Sequence, residues 1–212
     1  HYDKGDYDTA EEYLEKSLTI QKEIGLKGLE LLTTIYLYLT YKHLGKKYGV
    51  KEIQIEDDNF TLKRIHAAAV CEEIIKRKIK VHWSLPNGVR IDKLDPDLLK
   101  LMKKAGCYQM SLGIESANQR ILDLIKKRLN KDLVRKTVEE VSKAGIQSIG
   151  FFMIGFPTET KEEMKETINF ACSLKLDRAN FTKATPLPGT ALYDMWVERY
   201  AKDKKIDWKT FN

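Results

Sequence analysis

At 212 residues the chain has room for one α/β domain or two small ones, and 42% hydrophobic against 32% charged residues is the composition of an ordinary globular fold. The net charge of +6 is spread out: its densest runs, Lys126-Lys127-Arg128 and Lys202-Asp203-Lys204-Lys205, read as solvated helix ends and turns, which argues against a nucleic-acid surface. No apolar run approaches the roughly 20 residues of a membrane span, and three scattered cysteines suit a reducing cytoplasm better than a disulfide framework.

Residues 1–48 differ in texture from the rest. Tyr7, Ala10, Tyr13, Leu14, Leu18, Ile20 and Ile24 recur at helical spacing, Gly25 and Gly28 mark a turn, and a second helix is expected over 29–48. The stripe Leu31, Leu32, Ile35, Leu39 and Leu44 predicts that this second helix packs outside the strand expected at 52–56. Gly5-Asp6-Tyr7, Ala10, Leu14 and Ser17 resemble half of a tetratricopeptide (TPR) repeat, so the segment reads as a TPR-like helical hairpin. Tyr36, Tyr38 and Tyr41 read as packing residues.

From residue 49 the pattern changes to strand-then-helix units. Strands are expected at 52–56, 80–84, 109–114, 148–154 and 179–182. Helices are expected at 62–77, 96–104, 131–143 and 161–173, with an extra turn over 118–127. Asp95-Pro96 supplies an N-cap followed by proline at the first helical position, and Ala105-Gly106 ends that helix. Pro86-Asn87-Gly88 reads as a polar break after the second strand. The units recur at about 30 residues, the length of a βα crossover, so the strands should be parallel. Gly150-Phe151-Phe152-Met153-Ile154 is apolar throughout, as a strand covered on both faces would be. The fold class is therefore an α/β partial barrel of about five parallel strands over 49–212, preceded by the helical hairpin of 1–48.

In such folds ligands sit beyond the C-terminal strand ends. Those ends carry Asp57-Asp58-Asn59-Phe60, then Asn87-Gly88 with Arg90, then Glu115-Ser116, then the run from Gly155 through Pro157 to Thr160, then Thr185 to Thr190. The opposite ends carry plain helix stops, so the C-terminal rim is the candidate active face. Each motif has a structural alternative. Asp57-Asp58 could cap the next helix, Glu115 could pair with Arg120, and Gly155 with Pro157 could form only a tight turn.

Five segments, EIQIEDDNFT (52–61), NGVRID (87–92), LMKKAGCYQMSLGIES (101–116), GFFMIGFPTET (150–160) and ATPLPGTALY (184–193), together resemble the radical S-adenosylmethionine (radical SAM) superfamily, most closely its cobalamin-binding, methylthiotransferase-like and oxygen-independent-cyclase-like branches. The resemblance runs from residue 49 to about residue 197. It implies that Asp57 and Asp58 hold the amino group of SAM, that Asn87 and Arg90 lie near its carboxylate, and that Glu115 and Ser116 meet the ribose or methionyl end. Backbone around Ile154, Gly155 and Pro157 would face the adenine. The implied cofactors are SAM and a [4Fe–4S] cluster, with cobalamin in the parent protein.

The family holds its cluster on cysteines spaced C-x3-C-x2-C, and no such run exists here. Cys71, Cys107 and Cys172 fall in different expected elements, each read as a small buried residue. The expectation is thus a fragment or fusion that is inactive as written, taking SAM and an unnamed substrate. The alternative is a TPR-type module that recruits a protein partner on an inert barrel. A tRNA-modifying relative is a weaker third reading.

Overall fold

The computed structural model describes residues 51–57 and 60–201. The TPR-like segment, its helix over 29–48 and Asp58 lie outside the described residues. Five strands, β1 (Glu52–Gln54), β2 (His82–Val89), β3 (Cys107–Glu115), β4 (Gln147–Ile154) and β5 (Arg178–Lys183), form one sheet in chain order, every neighbouring pair parallel. Between them run α1 (Arg64–Lys76), α2 (Pro96–Lys104), α3 (Gln119–Leu124), α4 (Lys131–Lys143) and α5 (Lys161–Ser173). After β5 come α6 (Ala191–Trp196) and a π-helical turn, Val197–Ala201.

The helices form where capping and periodicity agree. Asp95 accepts the N–H groups of Asp97 and Leu98 at 3.1 and 2.9 Å to start α2. Asn118 and Asn130 cap α3 and α4 in the same way, and Thr160 with Glu163 forms a reciprocal capping box on α5. Ala67, Val70, Cys71 and Ile74 of α1 and Val134, Thr137, Val138 and Val141 of α4 are buried at helical spacing. They share one core with alternate strand residues: Trp83 and Leu85 of β2, Met110, Leu112 and Ile114 of β3, and Phe152 of β4. Each fully buried side chain of this kind contributes about 1.5–3 kcal/mol by leaving water, against a comparable entropy cost.

Two sequence expectations change, and one structural alternative is excluded. The Pro86-Asn87-Gly88 break lies inside β2, which absorbs it as a register shift between Leu85 and Val89. Gly88 makes this possible with φ 91°, a conformation an L side chain resists. Asp57 does not cap α1, whose N-cap position is Lys63. β4 is covered less evenly than its apolar run implies, with Phe151, Met153 and Ile154 only half-buried, and all six residues of β5 are exposed. Among the described residues, no helix is long and apolar enough to cross a membrane.

Candidate functional site at the C-terminal rim

Because all five strands are parallel, their C-terminal ends lie along one edge of the sheet. That edge carries Asp57 beyond β1, Asn87 and Arg90 around the end of β2, Glu115 closing β3, and Ile154, Gly155 and Pro157 at the end of β4. The side of the sheet away from the helical core is marked by glycines. A Cβ on Gly88 would touch the Phe151 ring at 3.5 Å. One on Gly113, the register partner of Phe151, would meet Lys127 Nζ at 3.0 Å and Glu115 Oε1 at 3.2 Å. The Glu115 carboxylate and the Lys127 ammonium therefore stand together over the open face at the end of β3, 2.8 Å apart and partly shielded from solvent.

Both members of this pair reach the rim through unusual backbone. Glu115 has φ 69°, the Ser116 N–H closes a three-residue turn on the Ile114 carbonyl at 3.0 Å, and the β3–β4 register shifts between Gly113 and Glu115. This is γ-turn geometry at a bulge, which re-aims a side chain at strain cost. Lys127 follows Lys126, whose φ is 56°. The N–H groups of Lys126 and Lys127 return to the carbonyls of Asp123 and Leu122 at 3.0 and 2.8 Å, a Schellman closure of α3 that turns Lys127 back toward β3. The run Lys126-Lys127-Arg128 is thus not wholly a solvated helix end, and Glu115 pairs with Lys127 instead of Arg120. Lys127 is the residue missed by sequence reasoning. No sequence signal marks it, because a left-handed helix end without glycine leaves no trace in composition.

The other rim residues are engaged internally. Arg90 places Nε and Nη2 on the two oxygens of Asp92 at 3.0 and 2.8 Å, and this guanidinium holds the Asp92 carboxyl below its usual range. Ser116 is buried against α5, its hydroxyl 3.1 Å from that of Thr167. Gly155 turns with φ 84°, and its N–H and that of Phe156 donate to Glu159 Oε2 at 2.6 and 3.2 Å. Glu159 Oε1 is buried with no hydrogen-bond partner among the described residues, and burial outweighs the two amide donors in raising its pKa. The Pro157 carbonyl accepts the Tyr200 hydroxyl at 3.1 Å. Arg120 joins the β3 and β4 loops, donating to Glu163 and to both the hydroxyl and the carbonyl of Thr158.

A sheet edge that gathers carboxylates, an ammonium, a guanidinium and turning backbone can hold a polar, zwitterionic small molecule. The profile of the radical SAM superfamily matches residues 21–171. The chain belongs to the radical SAM superfamily. An uncharacterized methyltransferase of Pyrococcus horikoshii is 39% identical over 151 residues, 71% of this chain and 32% of that protein. A cytidylyl-2-hydroxyethylphosphonate methyltransferase of Streptomyces wedmorensis is 33% identical over 70% of this chain and 29% of its own length. The fold is that of the radical SAM methyltransferase TsrM from Kitasatospora setae, solved with cobalamin and a [4Fe–4S] cluster. It superposes with a TM-score of 0.67 at 18% identity over 78% of this chain and 33% of that one. The five parallel strands are accordingly a half-barrel of the radical SAM kind, and the chain spans about a third of the length of these relatives.

Radical SAM enzymes use SAM and a [4Fe–4S] cluster. The cysteines of this chain do not fit the cluster. Cys71 is buried in α1, Cys107 is buried at the N-terminal end of β3, the far edge from Glu115, and Cys172 lies on α5, where it is exposed and not buried as expected. Burial pushes the Cys71 thiol up to about 12 and raises that of Cys107 as well, so neither is a ready thiolate ligand. Among the described residues no group of three His, Cys, Asp or Glu side chains is gathered to hold a metal ion.

Proposed function

We propose that this chain forms the SAM-facing rim of a methyltransferase-like radical SAM protein, and that these 212 residues alone bind SAM without cleaving it. The observation that carries the reading is the Glu115–Lys127 pair, standing over Gly113 at the C-terminal end of β3 in a barrel of this superfamily. The methionyl end of SAM is a zwitterion. Its ammonium complements the Glu115 carboxylate and its carboxylate complements the Lys127 ammonium, so the ligand would replace one internal ion pair by two charge-assisted contacts. Arg90, if released from Asp92, and Asn87 offer further donors to the carboxylate. Asp57 and Asp58 offer acceptors to the ammonium. The turn of Ile154, Gly155 and Pro157, held by Glu159, presents backbone to the purine edge.

The relatives are methyltransferases by name, which supports methyl transfer as the activity of a parent protein. Its substrate would occupy the open side of the sheet. SAM, when bound, supplies an activated methyl group and an adenosyl group at its sulfonium. The residues of this chain supply binding and orientation. The three dispersed cysteines leave the cluster without ligands from this chain.

The test is anaerobic reconstitution of the purified chain with iron and sulfide, followed by SAM and a strong reductant. Bound iron should remain far below four per chain, and 5′-deoxyadenosine should not form. A stoichiometric cluster with 5′-deoxyadenosine formation would refute the reading.

A further inference from the structure

We propose that Thr167, on α5, is a positioning residue for the rim, its buried hydroxyl holding the turn that aims the Glu115 carboxylate over the open face. The inference rests on the reading of Glu115 as a SAM contact. Glu115 is a side-chain-bearing residue at φ 69°, a conformation that persists only where its surroundings dictate it. The strand before it is fixed by the sheet. The chain after it is fixed by Thr167, which lies 51 positions beyond Ser116 in sequence but in direct contact with it.

Thr167 is fully buried, and Ser116 and Ala117 are only 1% and 2% exposed. Its Oγ1 accepts the Ala117 N–H at 3.2 Å and shares a hydrogen bond with the Ser116 hydroxyl at 3.1 Å. Ser116 Oγ in turn accepts the Asn118 N–H at 3.1 Å, and the Asn118 amide donates to Glu166 at 2.8 Å. One hydroxyl on α5 therefore ties down the two residues that follow Glu115. Val has the shape of Thr with a methyl group in place of the hydroxyl, so the exchange removes the oxygen at this buried site with little change of volume. A packing role alone gives Thr167 no need of its oxygen, whereas the two hydrogen bonds do. Without that oxygen the Ala117 N–H is buried and unpaired, and the turn at Glu115 is free to relax to φ below zero, moving the carboxylate away from Lys127.

The experiment titrates S-adenosylhomocysteine, a redox-inert probe, into the full chain and into Thr167→Val, Thr167→Ser, Glu115→Gln and the Thr167→Val/Glu115→Gln double variant. The expected result is about tenfold weaker binding for Thr167→Val and a change within about twofold for Thr167→Ser. On the Glu115→Gln background Thr167→Val should add nothing, because its effect runs through the same carboxylate. Wild-type affinity in Thr167→Val, equal losses in the Val and Ser variants, or losses that multiply would each overturn the proposal. If the unmodified chain fails to bind the probe, the functional reading fails, and positioning is decided by amide exchange at Ser116, Ala117 and Asn118. Exchange accelerated about tenfold or more in Thr167→Val but not in Thr167→Ser supports it, and unchanged exchange in Thr167→Val overturns it. Should Thr167→Val not fold, Ser116→Ala, which removes the other half of the hydroxyl pair, is carried through the same comparisons.

Discussion

Arg120 grips Glu163 through one edge of its guanidinium, Nε to Oε1 at 2.8 Å and Nη2 to Oε2 at 2.6 Å, and so clamps the start of α3 to the first turn of α5. The same carboxylate accepts the Thr160 N–H at 2.8 Å, completing the capping box. These donors, Arg120 first, bring the Glu163 carboxyl down from 4.5 to about 2. A carboxyl depressed on folding stabilises the native state fully above its unfolded value and loses that contribution as pH falls through its folded value. Urea unfolding of the chain and of Glu163→Gln should therefore differ most near neutral pH. The gap should shrink between about pH 4.5 and pH 2. A gap independent of pH over that window would show that Glu163 acts only by packing.

Gly106 supplies a stability test remote from the rim. It sits between α2 and β3 with φ 100°, and a Cβ there would lie 2.0 Å from the Val81 carbonyl oxygen, which is backbone and cannot turn aside. Gly106→Ala should cost about 3 kcal/mol, combining left-handed strain with displacement of β2. The urea midpoint should fall accordingly while ligand affinity of the folded fraction is unchanged. A cost below about 1 kcal/mol would mean that the β2–β3 edge yields more readily than its geometry implies.

Thiol reactivity distinguishes the three cysteines. Cys172 is exposed, whereas Cys71 and Cys107 are buried with raised pKa values. At pH 8 a soluble disulfide reagent should titrate one thiol in the native chain and all three after unfolding. Rapid reaction of more than one native thiol would contradict the placement of Cys71 and Cys107 in the core, and with it their exclusion as cluster ligands.

Much of this architecture was legible in the sequence. The Asp95 cap stands one residue before α2, and the helices expected over 62–77 and 131–143 formed as α1 and α4, because local hydrogen bonding and burial act at fixed offsets. Placement of Asn87, Glu115 and Gly155 on one edge followed from strand parallelism. The hidden features were set by contacts between distant segments. Lys127 reaches Glu115 through a left-handed turn at Lys126, a conformation that lysine rarely adopts and no local pattern announces. Ser116 turns to Thr167 on a helix 51 positions later, and Arg120 chooses Glu163 over the nearer Glu115. The break read at Pro86-Asn87-Gly88 was absorbed by β2 because the neighbouring strand tolerates a register shift that only the assembled sheet provides.

The central claim is that the rim binds SAM through Glu115 and Lys127 independently of any cluster. Its most direct test is an anaerobic calorimetric titration of SAM into the iron-free chain, the Glu115→Gln variant and the Lys127→Met variant. A charge-assisted hydrogen bond is worth about 1.5–3 kcal/mol, so each substitution should weaken binding by about tenfold to a hundredfold. Saturable one-to-one binding that falls by this factor in both variants is the predicted result. Absence of saturable binding, or equal affinity in all three proteins, would contradict the account.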